Sequence, residues 1–195
     1  MLNLIKMKKA YVIHGWGGTT TESWFPWLKK ELENKGFKVE IPAMPNPDTP
    51  KIKDWVDKLN KIVKVNNETY LIGHSIGCQT ILRFLESLKE KQKIKAAILV
   101  APWLTLQNLE EGEDEIAKEW VETSLNFKKI KSHAEEIVLI YSSTDPYSGF
   151  EDLSILRKNL NALVINIGDK GHINGEAGIF KLPELLSIID KIEDY

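Results

Sequence analysis

Six short apolar runs, at 10–13, 37–41, 69–72, 96–100, 137–141 and 163–167, recur along the chain, each nearly continuous in apolar residues. That is how strands buried on both faces of a parallel sheet read. Between them apolar positions recur at helical spacing. The first stripe is Trp24, Trp27, Leu28 and Leu32, stopped at Gly36, and the second is Ile52, Val56, Leu59, Ile62 and Val63, entered after Pro50. Ile81, Leu82, Leu85 and Leu88 form a third, Leu153, Leu156 and Leu160 a fourth, and Leu185, Ile188, Ile189 and Ile192 a fifth. Strands alternating with helices imply βαβ units with right-handed crossovers. The pattern therefore predicts an α/β fold with three αβα layers and a mostly parallel sheet of about six strands, in one domain over 1–195. The segment 42–50 holds four prolines and reads as a rigid loop. The stretch 104–127 is longer than a minimal connection, and its acidic run at 110–115 is expected to open a solvated helix carrying Ile116, Trp120 and Val121. No internal repeat or low-complexity tract interrupts the pattern.

Composition narrows the class. The 195 residues suffice for a core without staples, and a single cysteine cannot close an internal disulfide. With a start that carries no signal-peptide pattern, this points to a reducing, cytoplasmic setting. No run approaches the ~18–20 apolar residues of a spanning helix. Lys plus Arg is 26 against 28 for Asp plus Glu, and only Arg83 and Arg157 are arginines. A slightly acidic, arginine-poor chain is a poor nucleic-acid binder. Histidine, cysteine and carboxylate residues do not cluster at metal-ligand spacing, and no cofactor is expected.

The chemistry concentrates at three places. Gly73-His74-Ser75-Ile76-Gly77 follows the third strand and leads straight into a helical stripe. This is G-x-S-x-G in the strand–turn–helix context of a nucleophile elbow. The turn is so sharp that the positions two before and two after the serine tolerate no bulk. It lifts the Ser75 hydroxyl above the sheet edge at a helix N-terminus, where developing negative charge is favoured. A serine hydroxyl needs a base. His14 lies in a glycine-rich loop, His74 points elsewhere on the elbow, and His133 sits in a charged stretch read as solvated. His172, in the loop after the last strand, opens at the same carboxyl edge as the elbow. The orienting carboxylate is assigned to Asp145, after the fifth strand, over Asp169 and Glu176, with Asp152 read as surface. The chain order Ser75, Asp145, His172 is that of α/β-hydrolases. Oxyanion donors are expected from the backbone N–H of Ile76 and, by likeness to the HG-x-x-G loop of hydrolases, from that of Trp16.

These pieces are shared more widely. HGWGG at 14–18, WFPWL at 24–28, PAMPNPDTP at 42–50, Trp55, GHSIGC at 73–78, VAPW at 100–103, SSTDPY at 142–147 and GHIN at 171–174 span nearly the whole chain. Together they resemble the small serine hydrolases that include retinoblastoma-binding protein 9 and the bacterial YdeN-like proteins. The resemblance implies a compact α/β-hydrolase without a large cap and carries the Ser75, Asp145 and His172 triad position by position. The family name suggests protein binding for some members. The motif L-x-C-x-E is absent here, because Cys78 is flanked at two residues by Ile76 and Thr80. Cys78 reads as a small buried helix residue.

The expected reaction is acyl transfer to water through an acyl-enzyme, on a small ester-like substrate. Trp16, Trp103, Tyr147 and Ile173 lie on carboxyl-edge loops and suggest a small apolar acyl pocket. A thioesterase or peptidase would use the same machinery. A non-catalytic interaction module on the same fold is the reading from another class, and an intact triad argues against it. No protein partner is identified.

Overall fold

The structure, a computed structural model, describes residues 7–194. Residues 1–6, expected to run straight into the first strand without a leader, lie outside the described residues. The elements follow as β1 (Lys9–Ile13), α1 (Phe25–Asn34), β2 (Lys38–Glu40), α2 (Ile52–Ile62), β3 (Thr69–His74), α3 (Ile76–Ser87), β4 (Ile94–Val100), α4 (Glu113–Glu122), α5 (Phe127–Ser132), β5 (Ala134–Tyr141), α6 (Phe150–Leu160), β6 (Leu163–Asn166) and α7 (Pro183–Glu193). All six predicted strands form. They make one parallel sheet in the order β2-β1-β3-β4-β5-β6.

Alternation along each inner strand divides the core in two. Tyr11, Ile13, Leu71, Leu99 and Leu139 face one side, where α2, α3, α5 and α6 bury Trp55, Leu59, Ile81, Leu85, Ile130 and Leu156. Ala10, Val12, Tyr70, Ile72, Ile98 and Ile140 face the other, against Phe25, Leu28 and Leu32 of α1 and Leu185, Ile188 and Ile189 of α7. A strand with helices on both faces must be apolar at every position, and that produced the continuous runs. The edge strands depart from it: β2 buries only Val39, and Leu163 of β6 is largely exposed. Each has a neighbour on one side only, so less of it is covered.

Three local features differ from expectation. Helix α3 begins at Ile76, directly after Ser75, and its residues 76–85 are all buried, so its first turns show no amphipathic stripe. Helix α5 was not anticipated; it is one short turn-and-a-half whose Asn126 side chain accepts from the Lys129 N–H. Helix α4 forms at the acidic run, but it is not wholly solvated. Its Trp120 is buried edge-on against Trp55 at 6.1 Å and donates to the Pro50 carbonyl.

The chain passes from β1 outward to β2 and returns on the other side of β1 as β3. At such a reversal the loops leaving the carboxyl ends diverge and open a crevice. The loops after β1 and β3 flank it, and those after β4, β5 and β6 continue the same edge. No described helix is long and apolar enough to cross a membrane.

Candidate active site

Ser75 stands at the junction of β3 and α3 with φ 53° and ψ −119°, outside the regions that non-glycine residues favour. Such backbone costs on the order of 1–3 kcal/mol and persists only where its surroundings dictate it. Here the Ser75 N–H donates to Val100 O at 3.0 Å, and the Ser75 carbonyl accepts from the Cys78 N–H at 2.9 Å. The flanking glycines are steric necessities. A Cβ on Gly73 would stand 2.7 Å from the Cys78 nitrogen, and one on Gly77 would drive into the carbonyl of Ile13 and stand 2.9 Å from that of His14. Both obstacles are backbone and cannot swing aside. Gly77→Ala is therefore expected to destabilise the fold by about 3 kcal/mol or more, above ordinary overpacking, measured by urea unfolding.

Asp145 and His172 are brought together. His172 Nδ1 lies 3.0 Å from both Asp145 carboxylate oxygens, and the Asp145 side chain is only 2% exposed. A carboxylate can only accept, so Nδ1 carries a proton, and in the neutral ring the lone pair lies on Nε2. Asp145 Oδ1 also accepts the Tyr147 N–H at 3.0 Å, so the same side chain closes an Asx turn and holds the imidazole. The two loops are stitched to each other. Ser142 Oγ accepts the Lys170 N–H at 2.9 Å, Thr144 Oγ1 accepts that of Gly171 at 3.2 Å, and the Ser143 N–H donates to Gly168 O at 3.0 Å. Tyr147 packs edge-on against the His172 ring at 4.8 Å. These bonds explain the polar run at 142–144.

His74 does not face away idly. Its Nε2 donates to the His172 carbonyl at 2.8 Å, and the two rings lie 5.0 Å apart. Burial, with help from the neighbouring His172, pushes its pKa down to about 3. A histidine neutral when folded binds more protons when unfolded. Its contribution to stability is thus full above the ordinary 6.5 and is lost as pH falls towards about 3. His74→Gln keeps a neutral donor. Its melting temperature is expected to fall less steeply than that of wild type from pH 6.5 to 4.5, the difference amounting to at most about 1.4 kcal/mol per pH unit.

The loop after β1 lies against the elbow, where a Cβ on Gly15 would stand 3.7 Å from that of Ser75. His14 shapes this loop from inside. Its Nε2 accepts the Met44 N–H at 3.1 Å, so Nδ1 donates to Gly15 O at 2.8 Å, and burial lowers its pKa. The Gly17 N–H is taken by Pro47 O and that of Gly18 by Gly15 O. The N–H groups of Trp16 and Ile76 have no acceptor among the described residues.

Three expectations change, those for Ile173, His133 and Asp152. Ile173 does not line a pocket. It is fully buried in the core beneath, with φ 53°, and its carbonyl accepts the Trp24 indole N–H at 2.9 Å. His133 is buried, not solvated, its Nδ1 2.6 Å from Gln92 O. Asp152 is buried rather than on the surface, and accepts the N–H groups of Leu104 and Thr105, each at 2.8 Å. Trp103 is only 1% exposed, and its indole N–H donates to Ser75 Oγ at 3.4 Å. Trp16 stays partly exposed with its indole on the Asp48 carbonyl at 2.9 Å. Among the described residues no group of three or more His, Cys, Asp or Glu side chains is arranged to hold a metal ion.

A parallel sheet reversing at β1, with a strained serine at the strand–helix junction above it, defines an α/β-hydrolase fold. The chain belongs to the serine hydrolase family, whose model matches residues 10–191. It is 34% identical to YdeN of Bacillus subtilis (strain 168) over 187 residues, covering 93% of this chain and 94% of that protein. It is 28% identical to the serine hydrolase RBBP9 of Rattus norvegicus over 167 residues, covering 84% and 86%. The crystal structure of the B. subtilis ydeN product superimposes with a TM-score of 0.89 at 31% identity, over 97% of this chain and all of that one.

Proposed function

We propose that the chain hydrolyses carboxylic esters with small acyl groups through an acyl-enzyme on Ser75. His172 takes the Ser75 proton and returns it to the leaving group, Asp145 holds the imidazole, and the N–H groups of Ile76 and Trp16 receive the oxyanion. Water then attacks the acyl-enzyme by the same proton path in reverse. The observation that carries this reading is the buried Asp145, bonded to His172 Nδ1 through both oxygens beside the elbow. That contact leaves Nε2 free to act as a base.

Substrate size follows from the surroundings of Ser75. The buried Trp103 indole fills the space at the serine from the β4 side, and Tyr147 stands over His172 from the β5 side. An acyl chain therefore meets aromatic walls within a few carbons. Across para-nitrophenyl esters of graded length, kcat/KM is expected to be greatest for acetate to butyrate. It should fall by about tenfold or more by octanoate, as steric exclusion of a few methylenes costs 1–3 kcal/mol. A rise towards long chains, above all with thioesters, would replace the esterase reading by a thioesterase one.

A further inference from the structure

The Trp103 indole on the Ser75 oxygen is not a feature that the proposed triad requires. Five of the six tryptophans donate through Nε1 to a partner among the described residues. Trp16, Trp24, Trp55 and Trp120 reach backbone carbonyls, and Trp103 alone reaches a side-chain oxygen. The contact is held from two directions. Gln79, one turn into α3 from the elbow, donates its Nε2 to the Trp103 carbonyl at 2.5 Å. The buried Asp152, in the first turn of α6, accepts the N–H groups of Leu104 and Thr105, the two residues that follow the indole. Two buried polar side chains thus fix one short segment, Trp103 to Thr105, whose aromatic end lies on the nucleophile.

We infer that the Trp103 N–H is a catalytic donor to Ser75 Oγ that shortens the life of the acyl-enzyme. The inference rests on Ser75 being the acylated residue. An indole nitrogen can only donate, whereas a hydroxyl oxygen has two acceptor sites and one proton. While Trp103 fills one acceptor site, the hydroxyl proton must point to another group. Once Oγ is acylated it becomes the alkoxy oxygen of an ester, a weaker acceptor than a hydroxyl, so the indole bond weakens. In deacylation, water adds to the acyl carbon and gives its proton to His172. The Oγ–C bond then breaks, its electron pair goes to Oγ, and His172 returns the proton there. Trp103 keeps its own proton throughout. Its bond to Oγ strengthens as that electron pair arrives, so it stabilises expulsion of the serine relative to the acyl-enzyme. The forward acylation starts from a hydroxyl already bonded to the indole and weakens that bond, so the indole does not speed it.

The test is Trp103→Phe, which keeps an aromatic ring and removes the donor. With para-nitrophenyl acetate, kcat is expected to fall by about tenfold more than kcat/KM, the size of one neutral hydrogen bond, because kcat/KM carries only acylation and whatever the altered wall does to acetate binding. A stopped-flow trace should show a burst of one nitrophenolate per chain, with acetylated enzyme found by intact mass. Equal loss in kcat and kcat/KM, or no loss in either, would overturn the inference. If Trp103→Phe does not fold, a second reading uses the native indole. In 15N-tryptophan-labelled protein, Ser75→Ala should move one indole N–H signal upfield and leave the other five in place. Five unmoved signals and a sixth unmoved as well would overturn it. A wild type that is never acylated on Ser75 would instead remove the proposed nucleophile, whatever Trp103 does.

Discussion

Ser75→Ala is expected to lower hydrolysis of an activated ester by on the order of 10³-fold or more, with a melting temperature within a few degrees of wild type. The hydroxyl is the atom the proposed chemistry consumes. What remains in the variant, the free N–H groups of Ile76 and Trp16 and the Asp145–His172 pair, can still polarise a carbonyl and activate water. That explains why a residue of catalysis over water should survive. The backbone cost is unchanged, because alanine keeps the Cβ that already sits at φ 53°. The elbow is held by its main-chain bonds to Val100 and Cys78, which need no hydroxyl. Steady-state rates on purified protein, with a thermal melt beside them, decide it. Turnover at the wild-type level would remove Ser75 as nucleophile.

Asp145→Asn is expected to cost on the order of 10³–10⁴ in kcat, almost as much as loss of the serine, although it changes one atom pair. His172 Nδ1 faces both carboxylate oxygens at 3.0 Å. A carboxamide must keep its oxygen for the Tyr147 N–H to preserve the turn, which aims its NH₂ at Nδ1. The imidazole then places its proton on Nε2 and can no longer accept one from Ser75. The turn survives, so the fold should as well. A pH–rate profile measured with a melt at each pH separates the two effects. A loss below tenfold would mean that Asp145 serves only as the cap of its turn.

Much of this was legible in the residues because it depends on local rules. The inner strands announce themselves by continuous apolar runs, and Gly73 and Gly77 announce the elbow because backbone crowds both positions. Ser75, Asp145 and His172 each follow a strand, so a parallel sheet alone sends them to one edge. What stayed hidden depends on contacts distant in sequence. Asp152 looked like a surface residue in an ordinary first turn until it met the main chain of Leu104 and Thr105. His133 lies among charged neighbours, yet its ring turns inward to Gln92 O. Ile173 is placed on a loop by its number, but its φ of 53° and the Trp24 bond pull it into the core. The role of Gln79 has no sequence signal at all, since glutamine mid-helix carries no pattern of its own.

The most direct single test is to treat the purified protein with a fluorophosphonate and locate the adduct by intact and peptide mass spectrometry. One adduct per chain on Ser75, lost in Ser75→Ala and slowed strongly in His172→Ala, is the expected result. A folded wild-type protein that takes no label, or takes it at another residue, would contradict the serine mechanism and turn attention to the fold as a binding module.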